Sequence, residues 1–110
     1  MSSNQFDVVV IGAGPGGYIA AIRAAQLGMS VACIDAWQNG NGGPAPGGTC
    51  TNVGCIPSKA LLQSSEHFEQ ANHHFAEHGI EVKGVSLKLD KIVGRKNDVV
   101  KQNNDGILYL

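Results

Sequence analysis

Two short apolar runs on either side of a helix-prone segment set the pattern of the N-terminal third. Phe6 to Ile11 is rich in β-branched residues and is typical of a strand buried on both faces. Tyr18 to Leu27 is rich in alanine and predicts a helix, with Gly28 as the residue that ends it. Ser30 to Ile34 predicts a second buried strand. This order predicts a βαβ unit, a structure of about 30 residues with two parallel strands.

The second half of the chain has the periodicity of two longer helices. A helix is predicted from Cys55 onward, and His78-Gly79 gives the signal of its C-terminal end. Ile80 to Lys83 predicts a short edge strand, and Leu87 to Leu110 predicts a further helix. The positions predicted to face inward are Leu61, Ser65, Phe68, Ala71 or Asn72, and Phe75 in the first helix, and Leu89, Ile92, Val93, Val99, Val100 and Ile107 in the second.

A glycine-rich turn lies between the first strand and the first helix, with the sequence Gly12-Ala13-Gly14-Pro15-Gly16-Gly17. In this context Gly12 suits a tight turn, Gly14 allows a pyrophosphate to approach the backbone, and Gly17 allows helix and strand to pack closely. The pyrophosphate would bind at the helix N-terminus. Asp35 ends the second strand, at a spacing typical of a carboxylate that holds ribose hydroxyls. The alternatives are an ordinary turn and an exposed acid, and the motif does not separate FAD from NAD.

These elements predict an α/β fold, in which a Rossmann-like βαβ unit is followed by helices. Two parallel strands are too few for an independent sheet, so we expect the parallel sheet to be incomplete. A chain of 110 residues fits one small domain or part of a larger one. The apolar ending Ile107 to Leu110 carries no helix stop signal, and we therefore expect a truncated nucleotide-binding domain.

Composition excludes several classes of partner. A net charge of −1 gives no electrostatic reason to expect nucleic acid or an anionic membrane as a partner. The N-terminal apolar run lacks a basic region before it and is interrupted by glycines, so it is neither a secretory signal nor a membrane span. Three cysteines without an export signal indicate a reducing compartment, with the cytoplasm as the default location.

The segment Asn39 to Gly48 is a loop by composition, since it consists largely of glycine, asparagine and proline. We expect a surface excursion between the predicted ribose site and the cysteine pair that follows. Trp37, just before the loop, is expected to pack against it.

The run Gly48-Thr49-Cys50-Thr51-Asn52-Val53-Gly54-Cys55-Ile56-Pro57-Ser58-Lys59 contains the most specific candidate chemistry. Five residues of undistorted helix would separate the two cysteine Cα atoms by roughly 8.5 Å, whereas a disulfide tolerates about 4.4–6.8 Å. A bridge between them needs a distorted turn, which Gly54 permits. A helix start would favour a thiolate at both positions, as thiol–disulfide exchange requires. A structural disulfide, a metal site and two reduced core thiols remain alternatives.

The other cysteine and the histidines are expected to have no chemical role. Cys33, in the middle of the second strand, is predicted to be a buried and inert thiol. The four histidines (His67, His73, His74 and His78) lie among glutamates and glutamine and are expected on a solvated helix face, so we predict no metal site.

The run from Gly48 to Lys59, taken with the glycine-rich turn, resembles the flavin-dependent pyridine nucleotide-disulfide oxidoreductases. One departure is Thr51, where many relatives have an aliphatic residue. The resemblance covers all 110 residues, but only the N-terminal part of the family's FAD-binding domain. It implies that the glycine motif and Asp35 bind the ADP half of FAD. It further implies that Cys50 and Cys55 form the redox disulfide, with Cys50 meeting the substrate and Cys55 facing the flavin. The expected cofactor contacts also include Gly48, Thr49, Cys50 and Lys59, the last lying against the flavin ring.

The sequence after Cys55 most resembles the dihydrolipoamide dehydrogenase branch of that family. The resemblance implies an enzyme that oxidises dihydrolipoamide on the lipoyl groups of 2-oxoacid dehydrogenase complexes and passes electrons through FAD to NAD. It also implies a homodimer, with the NAD site and the dimerisation region outside this segment. The segment alone is expected to be inactive. The alternatives are a glutathione- or mercuric-reductase-like enzyme of the same family, or a non-catalytic nucleotide-binding fragment.

Overall fold

A computed structural model describes residues 5–110 of the chain. Its elements in chain order are the strand β1 (Val8–Ile11), the helix α1 (Pro15–Gln26), the strand β2 (Val31–Ile34), the helices α2 (Gly48–Asn52) and α3 (Cys55–His73), a 3-10 helix (Phe75–His78) and the helix α4 (Leu89–Tyr109).

The predicted βαβ unit is confirmed. Strands β1 and β2 pair in parallel, with Val8 opposite Val31 and Ile11 opposite Ile34, and α1 packs against both strands. Gly28 follows the helix end with a positive φ of 88°. Its N–H donates to Ala25 and the next N–H donates to Ala24, which closes the last turn of α1 in a Schellman motif. The fold class is therefore the predicted one, with an incomplete two-stranded parallel sheet.

The prediction that both faces of the strands are buried is wrong for residues 5–110. Val8 and Val10 are half-buried on the α1 side, but Val9 is 51% exposed and Ile11 is 87% exposed on the other face. Within the described part of the chain no element covers that second face. The continuous apolar run in the sequence gives the sheet two apolar faces. Helix α1 covers one of these faces.

Helix α3 packs against α4, and the predicted inward stripe is confirmed only at its end, where Ala71 and Phe75 are half-buried. Its buried residues are Pro57 and Ala60, whereas Leu61, Ser65 and Phe68 are exposed. Arg95 of α4 donates to the Ala60 carbonyl at 3.2 Å. The contact with α4 therefore falls at Ala60, and not where the largest apolar side chains lie.

The helix ends differ from the predicted ones. Helix α3 ends at His73, and a separate 3-10 helix carries the chain to Gly79, whose φ of 74° ends that turn. The predicted edge strand from Ile80 to Lys83 is wrong, because these residues pair with no strand of the described chain. They instead lead into a tight turn closed by the Gly84 N–H and the Val82 carbonyl at 3.2 Å.

Helix α4 is confirmed, with an inward stripe that differs in part from the prediction. Ile92, Val99, Val100 and Ile107 are half-buried, whereas Leu89 and Val93 are exposed. The one buried residue of the helix is polar, Asn104.

The chain is elongated and its core is small. The radius of gyration is 20.0 Å, compared with about 13 Å for a compact domain of 100 residues. The buried apolar side chains of residues 5–110 are small: alanines at positions 13, 21, 45 and 60, together with Pro46 and Pro57. Ala13, Ala21 and Ala45 border the same cavity beside the glycine turn, and Ala60 lies between α3 and α4. No helix of residues 5–110 is long and apolar enough to cross a membrane.

Candidate functional site

The glycine-rich turn has the backbone that its sequence predicts. Gly12 has a φ of 97°, a conformation that favours glycine. A Cβ on Gly17 would lie 1.8 Å from the Gly12 carbonyl oxygen, so only glycine fits there. Pro15 is the first residue of α1, which therefore begins three residues before the predicted start. Gly14 is the N-cap and provides no side-chain cap, so the positive end of the helix dipole is open to an anion.

Asp35 lies at the end of β2 and binds the glycine turn. One carboxylate oxygen accepts the Ala13 N–H at 2.9 Å, and the other accepts the Trp37 N–H, also at 2.9 Å. The side chain is exposed. Each oxygen has further lone pairs beyond the one it uses, so Asp35 can accept hydroxyl groups while it fixes the turn.

A cavity of about 360 Å³ adjoins Asp35 and the glycine turn. Its walls come from α1, the end of β2, the loop after β2 and the end of α4; they are Ala13, Tyr18, Ala21, Ile22, Cys33, Asp35, Trp37, Pro44, Ala45, Pro46, Ile107, Leu108 and Leu110. The prediction that Cys33 is buried is wrong, because Cys33 borders this cavity and is exposed. A mostly apolar cavity with a carboxylate at its rim suits a flat ring attached to a sugar.

The loop between β2 and α2 has two parts. Residues 38–44 form a hairpin closed by a bridge between Gln38 and Pro44, and Asn39 Oδ1 accepts the N–H groups of Asn41 and Gly43. Trp37 is joined to the base of the loop, since its carbonyl accepts the Ala45 N–H at 3.0 Å.

The second part of the loop corrects the prediction of a surface excursion. Residues 45–47 are buried, and Ala45 is only 1% exposed. The reason is a direct attachment to the glycine turn, in which the Gly47 N–H donates to the Ala13 carbonyl at 2.7 Å. A Cβ on Gly48 would lie 2.9 Å from the Gly14 Cα. The start of the cysteine helix therefore lies directly against the candidate pyrophosphate turn.

The two cysteines lie on either side of a break between helices. Cys50 is in the middle of α2, and Cys55 is the first residue of α3. Gly54 makes the break possible, because a Cβ there would be 2.9 Å from the Thr49 carbonyl oxygen and 3.4 Å from the Cys50 Cα. The chain thus has the distorted turn that pairing of Cys50 with Cys55 requires.

Both cysteines are free thiols in this structure, Cys50 half-buried and Cys55 exposed. A hydrogen bond with the Cys55 side chain raises the pKa of the Cys50 thiol above its ordinary value. The backbone at Cys55 and the positive charge of Lys59 act on this pKa in the opposite direction, with smaller effect. The expected preference for a thiolate at the helix start is opposed at Cys50 by this hydrogen bond. Helix α2, in which Cys50 lies, has only five residues.

Lys59 is exposed on the first turns of α3, four residues after Cys55. Both residues line an open groove between α3 and α4, with Arg95 on its other side. Residues four apart lie on the same helix face, so a cation accompanies the Cys55 sulfur.

The histidines lie away from the cysteines. His74 Nε2 is 3.2 Å from Glu69 Oε1 on the exposed face of the helix. Among residues 5–110, no group of His, Cys, Asp or Glu side chains is arranged to hold a metal ion.

Sequence reasoning missed two asparagines beside the cysteine helix. Asn104 Nδ2 donates to the Pro46 carbonyl at 2.6 Å and to Asn52 Oδ1 at 3.1 Å. Asn52 Nδ2 in turn donates to the Ala45 and Gly48 carbonyls at 2.9 and 3.0 Å. A signal was present in the sequence, since Asn104 lies four residues after Val100 and three before Ile107, on the predicted apolar stripe of α4.

Comparison with known proteins agrees with this arrangement. Residues 6–109 match the family described as pyridine nucleotide-disulphide oxidoreductase, and the chain belongs to that family. Its similar relatives include a dihydrolipoyl dehydrogenase of Cupriavidus necator, 56% identical over 98% of this chain and 23% of the relative. The mitochondrial dihydrolipoyl dehydrogenase 1 of Arabidopsis thaliana is 51% identical over 96% of this chain and 20% of the relative. The mitochondrial dihydrolipoyl dehydrogenase of Homo sapiens is 50% identical over 94% of this chain and 19% of the relative. The chain thus spans about a fifth of the length of these relatives.

Proposed function

We propose that residues 1–110 form the N-terminal part of an FAD-binding domain. The parent flavoenzyme would oxidise dihydrolipoamide to lipoamide through Cys50 and Cys55 and pass the electrons to NAD. The relatives named dihydrolipoyl dehydrogenase support the reaction. The observation that carries the proposal is the contact between Gly48 and Gly14, because it joins a dinucleotide-type turn directly to the helix of the cysteine pair.

The residues present fit the ADP half of FAD. Gly12, Gly14, Pro15, Gly16 and Gly17 give a turn without side chains in front of an uncapped helix N-terminus, which suits a pyrophosphate. The rim carboxylate of Asp35 can accept the ribose hydroxyls, and the adjoining cavity can hold the adenine ring. Gly48 and Thr49 lie next to this turn at the start of α2 and complete the proposed contacts.

The cysteines would carry out thiol–disulfide exchange in their oxidised, bridged form. A substrate thiolate attacks the Cys50 sulfur, a mixed disulfide forms, and Cys55 leaves as a thiolate. The second substrate thiol then attacks the substrate sulfur of the mixed disulfide, which releases cyclic lipoamide and the Cys50 thiol. Two electrons thereby pass from the substrate to the cysteine pair. Bound FAD would supply a two-electron acceptor for that dithiol. Lys59 places positive charge on the face of α3 that carries the Cys55 sulfur.

Several features of the parent enzyme belong to the same proposal. NAD would be the final acceptor, at a site outside this segment, which contains one glycine-rich turn of this kind. The partners would be lipoyl groups of 2-oxoacid dehydrogenase complexes, and the full-length protein would be a homodimer. The cytoplasm remains the location predicted from the cysteine content, although several relatives are named as mitochondrial.

Anaerobic reduction of the full-length protein tests the proposal. We expect dihydrolipoamide to open the Cys50–Cys55 bridge and to produce a long-wavelength absorbance, whereas reduced glutathione does neither. Added NAD should then restore the oxidised spectrum.

Two other results would favour the alternatives. Reduction by glutathione at a comparable rate would indicate another enzyme of the family. An unchanged spectrum with either thiol, in a protein that lacks flavin, would indicate a nucleotide-binding fragment without turnover.

A further inference from the structure

The side chain of Asn104 is a polar group buried inside the stripe by which α4 packs on the rest of the chain. It is 7% exposed, and both of its hydrogen bonds cross to other elements, to Pro46 and to Asn52. Asparagine is a poor helix former, and a buried amide is unfavourable unless it is hydrogen-bonded. An apolar residue at this position would be sufficient for helix packing. What Asn104 adds is an amide group whose two N–H donors point at Pro46 and Asn52.

The partners of Asn104 lie at both ends of the short cysteine helix. Asn52 is the last residue of α2, and its own amide donates back to the Ala45 and Gly48 carbonyls at the start of that helix. Pro46 precedes Gly47, whose N–H donates to the glycine turn at 2.7 Å. Asn104 therefore connects α4 with both ends of α2 and, through Gly47, with the glycine turn.

A helix of five residues has little stability of its own. Cys50 lies at its centre, and Cys55 is the first residue of the following helix. The position of Cys50 relative to Cys55 consequently depends on the bonds that hold the two ends of α2. Two of those bonds come from the Asn52 amide, and Asn104 holds that amide in the orientation in which its Nδ2 faces both carbonyls.

We propose that Asn104 is a positioning residue for the Cys50–Cys55 pair, acting through Asn52 and Pro46 to hold α2, and Cys50 with it, in place relative to Cys55 at the start of α3. The inference rests on the proposed function for its biological meaning, but the thiol equilibrium can be measured independently of it. In that equilibrium two cysteine thiols and one oxidised glutathione give one protein disulfide and two reduced glutathione molecules. A fixed α2 raises the effective concentration of one thiol at the other.

The test is the reduction potential of the cysteine pair in the full-length protein. Wild type, Asn104→Leu and Asn104→Ser are equilibrated in glutathione buffers, quenched with acid, alkylated, and the Cys50 and Cys55 peptides are quantified by mass spectrometry. We expect Asn104→Leu to lower the equilibrium constant for bridge formation by about tenfold, equivalent to a potential ~30 mV less negative. Asn104→Ser keeps one donor and should fall between wild type and Asn104→Leu.

Asn72→Leu is the matched control. Asn72 is also a helical asparagine, but it is exposed and its amide bonds only within α3, to the Phe68 carbonyl. We expect its potential to equal that of wild type. The inference is overturned if both Asn104 variants keep the wild-type potential, or if Asn72→Leu shifts it as much as Asn104→Leu does. If Asn104→Leu does not fold, the Asn104→Ser result decides.

Failure of the proposed function would be visible separately. In that case the wild-type protein would lack flavin or would not be reduced by dihydrolipoamide, whatever the potentials of the Asn104 variants.

Discussion

Gly48 lies against Gly14 so closely that a Cβ on Gly48 would be 2.9 Å from the Gly14 Cα. This contact joins two segments that are separate in sequence, the turn that opens α1 and the residue that opens α2. Gly48 has no room for a side chain directed at Gly14, whereas a Cβ on Gly14 would meet the Gly48 Cα at an ordinary 3.9 Å. Gly48 precedes Cys50 by two residues, so a group bound at the glycine turn lies next to the segment that carries Cys50.

Substitution of Gly48 should separate these segments. Gly48→Ala adds a Cβ at a residue with a φ of 61° and in close contact with Gly14, so we expect a loss of about 1–3 kcal/mol in the free energy of unfolding together with reduced flavin content. Gly40→Ala is the control, because that position is open and its φ is ordinary; its change should stay within about 0.5 kcal/mol. Thermal unfolding and the flavin-to-protein absorbance ratio measure both effects. Equal behaviour of the two variants would contradict the role given to the contact.

Gly14 should matter for binding more than for folding. A Cβ at Gly14 would lie 3.9 Å from the Gly48 Cα, an ordinary contact, so Gly14→Val should fold. Its side chain would nevertheless occupy the space in front of the helix N-terminus and block a pyrophosphate. We expect a full-length protein without flavin and with unchanged circular dichroism. A yellow Gly14→Val protein with normal flavin content would show that the cofactor assignment is wrong.

The pairing of the cysteines can be mapped directly. We expect Cys50 and Cys55 to be bridged in the oxidised protein and alkylated only after treatment with a dithiol. Cys33 is exposed at the edge of the cavity and should be alkylated in both states. Peptide mass spectrometry with and without dithiol distinguishes the three residues. Detection of Cys33 in a disulfide with either of the others would refute the assignment.

Substitution of Cys50 and substitution of Cys55 should have different effects on the visible spectrum of the flavin. Cys50→Ser leaves Cys55 as a single thiolate beside Lys59, and we expect a long-wavelength charge-transfer band without added reductant. Cys55→Ser removes that donor, and the band should be absent. Visible spectra of the two full-length variants provide the comparison. A band only in Cys55→Ser would reverse the two roles, and a band in neither would argue that the pair does not contact a flavin.

The reactivity of Cys50 should report its contact with Cys55. Since the hydrogen bond with Cys55 raises the pKa of the Cys50 thiol, Cys55→Ala should lower that pKa and increase the thiolate fraction at a fixed, mildly alkaline pH. We expect iodoacetamide to modify Cys50 faster than in the wild type, since only the thiolate reacts. Lys59→Met removes a charge that lowers the same pKa and should slow the reaction. A rate unchanged by Cys55→Ala would mean that the two thiols do not interact.

The parts of the structure set by local chemistry could be predicted from the sequence. The βαβ unit, the Gly28 helix end and the break at Gly54 each depend on backbone conformations that a few neighbouring residues determine. The long helix from residue 89 to 109 follows from periodicity alone, despite two internal glycines.

The errors concern contacts between distant segments. The first part of the inward face of α3 differs from the prediction because the contact with α4 falls at Ala60, while the larger Leu61 is exposed. The buried segment before α2 has a loop composition, and its burial comes from hydrogen bonds to Ala13 and Asn104. The raised pKa of the Cys50 thiol likewise depends on a neighbour across a helix break.

The hairpin of residues 38–44 has a consequence for how the chain tolerates variation in length. The flanking residues Trp37 and Ala45 are hydrogen-bonded to each other at 3.0 Å, and the bonds of Asn39 to Asn41 and Gly43 stay within the hairpin. A loop whose ends already meet can be shortened or lengthened at small entropic cost, about 0.6 kcal/mol for each doubling. This hairpin is therefore a place where residues can be gained or lost in evolution, or a reporter peptide inserted, while the register of Ala45 and everything after it is preserved.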